Sequence, residues 1–276
     1  MGGNKVKNIK ISRIILYILL GFFVILSLLP LWSSVVTALK TSKEVIITTP
    51  ITFPLHPTLT PLRESFDYLK KPLTNSLVLV VSGTITSCFF ASILGYVFSK
   101  RRFPGSTILL ILVILCLYIP PQVQLIPMVK AMSKVGLYGD LGSLVLLYML
   151  FGIPMSTFIF KTLYDEIPDS FINAAKVDGA GTWTIYQRII LPLSVIPFVV
   201  AAILQVTVIW NDYIWGLVLT RGMANMPITV AIANLKGSFV AEWNLQMAGS
   251  LWVALPTLII FIFLGKYIMR GYTGKI

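Results

Sequence analysis

The sequence predicts an all-α fold, a polytopic membrane protein of six transmembrane helices forming one domain over residues 1–276. Three observations predict it. Of the 276 residues, 57% are hydrophobic and only 12% are charged, about half the roughly 25% charge of a soluble domain. The charges are also segregated, leaving six uncharged gaps of 20 residues or more: 14–39, 72–99, 103–129, 141–160, 189–211 and 243–265. About 20 residues at 1.5 Å rise cross a hydrocarbon core of about 30 Å, where a helix satisfies its own backbone groups. Finally, the 22 basic residues sit at the ends of these gaps, thirteen on the side of the amino terminus and nine on the other. That bias places both termini in the cytoplasm of a cell-membrane protein. It also explains the net charge of +12 as membrane flanks, with no nucleic-acid partner.

The first expected span, 14–39, follows Lys5, Lys7, Lys10 and Arg13. It is built like a signal sequence, but its apolar run of 26 residues is too long for a cleaved one and stays as the first helix. A loop follows over 40–72. Its stretch VIITTPITFPLHPTLTPL is uncharged, yet Pro50, Pro54, Pro57 and Pro61 each remove a hydrogen bond and clash with the preceding turn. An extended outer loop is expected there, not a seventh span. It holds His56, the only histidine, read as an ordinary loop residue. The second span is 73–99. In the third, 106–129, Pro120, Pro121 and Pro127 break the helix and free carbonyls that must face protein or a water-filled cavity. The fourth, fifth and sixth spans are 141–162, 192–218 and 244–268. Cys88 and Cys116, the only cysteines, fall within spans, so neither a disulfide framework nor a metal site is indicated.

The connection 165–191 is long enough to do more than connect. Pro168 and Asp169 mark a helix start, proline being tolerated in the first turn and an acid there complementing the dipole; Gly179 marks a stop about 11 residues later, roughly 16 Å of helix. A second short helix carries Trp183, Tyr186, Gln187 and Ile190 at i, i+3, i+4, i+7 and leads into Pro192. Ala174 and Ala175 on the flank of the first helix suit a close fit into a groove of another protein. Rest on lipid is the other reading, although Lys176 and Arg188 are few cations for a lipid-binding helix.

Within this loop Asn173-Ala174-Ala175 is followed after three residues by Gly179, and after nine more by Ile189, Leu191 and Pro192. The pattern resembles the cytoplasmic motif of permease subunits in binding-protein-dependent ABC importers, with every spacing kept. Asn173 departs from it, standing where that family commonly has glutamate, so no charge is available there for a contact with the ATPase. Asp178-Gly179-Ala180 is similar to the carbohydrate-uptake branch. So are Asn75-Ser76, Arg102-Phe103-Pro104-Gly105, Ile119-Pro120-Pro121-Gln122, Ile126-Pro127, Gly136-Leu137, Trp210-Asn211-Asp212 and the GYTGKI tail, in register with the maltose-type second permease over nearly the full chain. The resemblance implies a type I ABC importer permease fold. It further implies a second permease subunit, two copies of a cytoplasmic ATPase carrying ATP and Mg, and an extracytoplasmic sugar-binding protein as partners. It makes Asn173, Ala174, Ala175, Asp178, Gly179, Ile189, Leu191 and Pro192 the ATPase-coupling loop, with the first helix as the coupling helix.

The residues agree that this chain is not itself an enzyme and binds no cofactor. There is no phosphate-binding glycine loop, since Asp178-Gly179-Ala180-Gly181 is followed by Thr-Trp and lacks its lysine; nor is there a nucleophile with its base or a paired carboxylate at depth. A neutral mono- or disaccharide needs hydroxyl partners and stacking surfaces. Tyr118, Gln122, Gln124, Gln205, Thr207, Trp210 and Asn211 are the candidates for its pathway or gate, Trp210 and Asn211 first among them; hydrogen bonding between helices is the competing role for each. Asp212, at the outer end of the fifth span, either pairs with a cation such as Arg221 or, the preferred reading, is hydrated at the interface. The alternative function is an ion-coupled secondary transporter of a small polar solute, which the lack of ionisable groups within the six gaps disfavours.

Overall fold

The computed structural model of the chain describes residues 3–101, 103–235 and 242–273. Arg102 and the last three residues of the GYTGKI tail lie outside the described residues. Among the described residues the chain is helical, with no strand and an isolated bridge between Gly139 and Thr220. It forms two compact units, Met1–Tyr68 with Asn234–Ala254, and Leu69–Ala233 with Leu255–Ile276.

The first unit contains α1 (Gly3–Ala38), α2 (Ser42–Ile47), and the beginnings of α3 (Thr60–Lys100) and α14 (Trp243–Thr273). The side chains from Arg13 to Trp32 are all exposed, and Arg13–Ala38 holds an 18-residue stretch of mean hydropathy 2.8, apolar on every face. Thr41 caps α2, its Oγ1 accepting the Glu44 N–H at 3.3 Å. The outer loop is shorter than 40–72, since α2 lies within it and α3 begins at Thr60. Pro61 falls in the first turn of α3, where no N–H is missed, and Pro72 is taken into the helix without ending it. Asn244 Nδ2 donates to Lys40 O at 3.0 Å.

The second unit holds the rest of α3, then α4 (Ser106–Leu115), a 3₁₀ turn Cys116–Tyr118, α5 (Pro121–Lys134) and α6 (Leu141–Asp165). Next come α7 (Asp169–Val177), α8 (Thr182–Ile185), a π-helical turn Tyr186–Ile190, α9 (Leu191–Leu193) and α10 (Val195–Asn211). Three short helices follow, α11 (Ile214–Leu219), α12 (Gly222–Asn225) and α13 (Ile228–Asn234). Its centre is the contact of α3 with α6. A Cβ placed on Gly83 would lie 3.0 Å from Tyr148 Cβ, one on Gly152 would lie 2.6 Å from Ser87 Cβ, and one on Gly95 would lie 2.5 Å from Phe160 Cβ. These residues stand four and then eight positions apart along both helices, so two parallel helices approach along a seam opened by Gly83, Ser87, Gly95 and Gly152, as helices do where lipid supplies no hydrophobic drive between them. α10 joins the seam, with Gln205 Nε2 donating to Gly152 O at 3.0 Å and Ser156 Oγ at 3.1 Å.

Two expected spans are bent. α4 with its 3₁₀ turn meets α5 at 101°, and the helix Thr182–Leu193 meets α10 at 74°. Pro120 and Pro121 make the first bend, whereas Pro127 lies inside α5 and does not break it; the expected third span, 106–129, is therefore an angled pair. The expected fifth span, 192–218, is interrupted as well, because α10 ends at Asn211 and α11 begins at Ile214. By length and apolarity α1, α3 and α6 can each cross a membrane, and the bent pairs raise the number to as many as five among the described residues.

Asp212 organises the interruption and is neither paired with Arg221 nor simply hydrated. Its Oδ2 accepts from Tyr148 Oη at 2.8 Å and from the Gly216 N–H at 3.2 Å, while its carbonyl accepts from Thr229 Oγ1. Arg221 lies over the Tyr138 ring, 4.7 Å from its centroid. Asn75 Nδ2 donates to Ala224 O and Met226 O at 2.8 and 3.0 Å, and Ser76 Oγ accepts the Ile228 N–H at 2.8 Å. Backbone groups of Gly216, Ala224, Met226 and Ile228 are thereby given side-chain partners.

The seam makes a direct test. Gly95→Leu forces side-chain atoms into the Phe160 backbone, a cost of about 1–3 kcal/mol or more. The variant is expected to melt about 5 °C or more below the parent in detergent, whereas Gly21→Ala, with nothing within 4 Å, should melt with the parent.

Candidate functional site

The first helix of the loop between α6 and α10 starts and stops where the sequence directs. Pro168 is the N-cap of α7, Asp169 lies in its first turn, and Gly179 stops it with φ +78°. Side chains cannot readily adopt that backbone, and glycine can. The Gly179 N–H donates to Lys176 O at 3.0 Å and the Ala180 N–H to Ala175 O at 2.9 Å.

The inner side of α7 is anchored. Ile172 is buried in a cluster with Cys88, Tyr96, Phe160, Tyr164 and Ile185, and Ala175 packs against it. Ser92 Oγ and Tyr186 Oη are 2.6 Å apart, and Tyr164 Oη and Ser194 Oγ 2.7 Å. Lys100, at the end of α3, donates to Ile167 O at 2.6 Å and to Asp169 Oδ1 at 2.9 Å, with a side chain only 5% exposed. Asp165 accepts from Ser99 and from Lys161.

The outer side of α7 is open. Phe171 is 54% and Val177 88% exposed, and Ala174 between them is exposed too. Spaced by three, these residues form one apolar stripe, beside which Asn173, Asp178 and Gly179 are also exposed. The adjacent alanines of the motif therefore divide, Ala174 outward and Ala175 into the core. A single close-fitting flank bearing both was expected, but neighbours on a helix stand about 100° apart. The second helix differs in the same way. Tyr186 and Ile190 are buried, but Trp183 and Gln187 are exposed, and residues 186–190 form a π turn instead of continuing the α-helix. Ile189 is half-buried, Leu191 is exposed, and Pro192 lies in α9.

The polar residues read as pathway candidates fall into two groups. Tyr118, at 77% exposure, and Gln122 lie open at the α4–α5 bend. Gln124 patches that bend, its Nε2 donating to the freed Ile119 carbonyl at 2.9 Å. On α10, Gln205 and Trp210 are buried at 5% and 3% exposure. Thr207 bonds back to Ile203 O, and the exposed Asn211 to Thr207 O at 2.8 Å. Gln205 is thus committed to holding α10 on α6, and Trp210 is turned inward. The sequence reading missed Lys100, Phe171 and Val177. Lys100 was read only as a flanking charge, and the spacing of 171, 174 and 177 was the available signal for the stripe.

The comparisons with known proteins bear on this loop and on the whole chain. Residues 83–273 match the family model described as binding-protein-dependent transport system inner membrane component. A probable ABC transporter permease protein of Pyrococcus horikoshii is 50% identical over 97% of this chain and 98% of its own length. The xylose/arabinose import permease protein of Haloferax volcanii is 27% identical over 96% of this chain and 94% of its own. Among solved structures, a bacterial ABC transporter involved in the import of the acidic polysaccharide alginate contains a chain that superposes with a TM-score of 0.82 at 19% identity, covering 94% of this chain and 96% of that one. That likeness shows the fold. Ion coupling finds no support in these matches. The chain belongs to the binding-protein-dependent transport system inner membrane components, the non-enzymatic membrane permeases of ABC importers.

Proposed function

We propose that this permease carries a neutral mono- or disaccharide into the cell, and that α7 is the helix through which a separate ATPase drives it. The observation behind the proposal is the two-sidedness of α7, anchored on one face and bare and apolar on the other. A stripe of Phe171, Ala174 and Val177 suits a hydrophobic groove. The anchoring by Ile172, Ala175 and Lys100 suits a part that is moved as a rigid body when its partner closes.

In the assembly proposed, a second permease subunit completes the pathway, two copies of the cytoplasmic ATPase hold ATP and Mg, and an extracytoplasmic binding protein delivers the sugar. The crossings are α1, α3, the α4–α5 pair, α6, the pair ending in α10, and α14, six in all, with both termini cytoplasmic. Tyr118, Gln122, Thr207 and Asn211 are the proposed sugar-facing residues, uncharged and capable of stacking or hydrogen bonding; Gln124, Gln205 and Trp210 hold the helices that present them. A neutral sugar is favoured by the absence of charge in the uncharged gaps and by the pentose-import relative.

Purification of the tagged chain in mild detergent is expected to bring down an ATPase and a second permease, and vesicles holding the complex should take up sugar with ATP. Recovery of the chain alone, with uptake following an ion gradient, would overturn the proposal. Val177→Asp and Ala174→Glu place an unpaired charge on the stripe, and loss of an apolar anchor worth about 2 kcal/mol weakens an interface roughly thirtyfold. ATPase recovery should fall by about that factor while the chain still reaches the membrane; undiminished recovery would remove α7 from the interface. Lys100→Met deletes hydrogen bonds of a charged donor worth about 1.5–3 kcal/mol. Amide exchange over 169–177 should accelerate about ten- to hundredfold, with α6 unchanged.

A further inference from the structure

We propose that the end of α2 and the outer loop from it to α3 form a lipid-contacting element that lies on the membrane interface beside α1. The residues from Val45 to Leu62 contain no acid, lysine or arginine, and their large apolar side chains point outward. Ile46, Ile47, Ile51, Phe53, Leu55 and Leu59 are each between 57% and 78% exposed. An apolar surface of this extent is not left to water on a folded segment.

Two charges beside it, Lys40 and Glu44, turn the other way, while Lys43, Arg63 and Glu64 at its ends are exposed. Lys40 is 1% exposed and spends its ammonium on the loop itself, donating to Thr48 Oγ1 at 2.9 Å, Thr49 O at 2.7 Å and Thr52 Oγ1 at 3.2 Å. Glu44, 5% exposed, accepts the Leu55 N–H. The loop is therefore ordered around buried polar groups with its apolar residues outside, the inverse of a water-facing loop.

Two tryptophans fix its depth. Trp32 Nε1, in the last third of α1, donates to Ile51 O at 3.1 Å, and Phe53 lies against the same indole at 6.5 Å between ring centroids. Trp252 Nε1, in α14, donates to Leu62 O at 3.0 Å. Tryptophan favours the boundary between headgroups and acyl chains. With the hydrocarbon crossing of α1 starting just after Arg13, about 20 residues bring it to that boundary near Trp32. The exposed loop side chains then continue the lipid-facing surface of α1, which is why lipid is the occupant favoured over a protein partner.

The inference rests on α1 being a span, so the test carries a control for that. Single cysteines for spin labelling are introduced as Ile47→Cys, Phe53→Cys or Leu55→Cys in the full chain with Cys88→Ala and Cys116→Ala. The chain, with the subunits that co-purify, is placed in phosphatidylcholine and phosphatidylglycerol nanodiscs. Collision of each label with oxygen, which concentrates in lipid, is compared with collision with a water-soluble nickel chelate. Labels at 47, 53 and 55 are expected to favour oxygen severalfold. Preference for nickel would place the loop in water, and shielding from both would place it under a protein partner; either overturns the proposal. Phe23→Cys and Ile25→Cys, on different faces of α1, are the controls. If both favour nickel, the span itself fails, a result distinct from failure of the loop.

Discussion

The close approach of α3 and α6 is the contact on which the second unit depends. Gly83, Gly95 and Gly152 let the two backbones come within the reach of one methyl group, and in lipid such packing supplies what the hydrophobic effect supplies in water. Each further element uses the surface this pair creates. α10 is held by Gln205 at Gly152, and α7 by Ile172 in the cluster at the carboxyl-terminal ends of the pair and by Lys100 at the end of α3. A motion imposed on α7 therefore meets a closely packed part of the second unit.

A second constraint explains the polar side chains. Wherever a helix is interrupted, the freed backbone groups need partners, because lipid offers none. Gln124 takes the carbonyl left at the α4–α5 bend, Asp212 takes the Gly216 N–H, and Asn75 and Ser76 serve the segment that follows. Several residues that look like sugar ligands by type are occupied in this way. Polar identity within a span thus separates poorly into binding and support until partners are known.

The sequence disclosed what depends on local chemistry. Long uncharged runs gave the helical membrane class, and Pro168, Asp169 and Gly179 gave α7 nearly to the residue. What it hid was relational. Ala174 and Ala175 are adjacent in the motif, and only the neighbours of α7 reveal which one faces the core. The π turn at Tyr186–Ile190 leaves no compositional mark, and of the face assigned at α-helical spacing Trp183 and Gln187 came out exposed. Lys100 sits in a basic run that charge bias alone accounts for, and its target at Ile167 and Asp169 is remote in sequence. Pro61 looked like a break and was absorbed in the first turn of α3.

The seam between α3 and α6 also bears on how the chain is made. Each α6 residue in it stands 65 positions after its partner on α3. At about 5–20 residues per second, synthesis takes roughly 3–13 s to supply the second helix after the first. For that interval α3 waits in the bilayer with its glycines and serines turned to lipid or to the insertion machinery. The notch that later admits α6 would admit another slender helix equally well. Fidelity of assembly therefore depends on the order and timing of helix release as well as on the final fit.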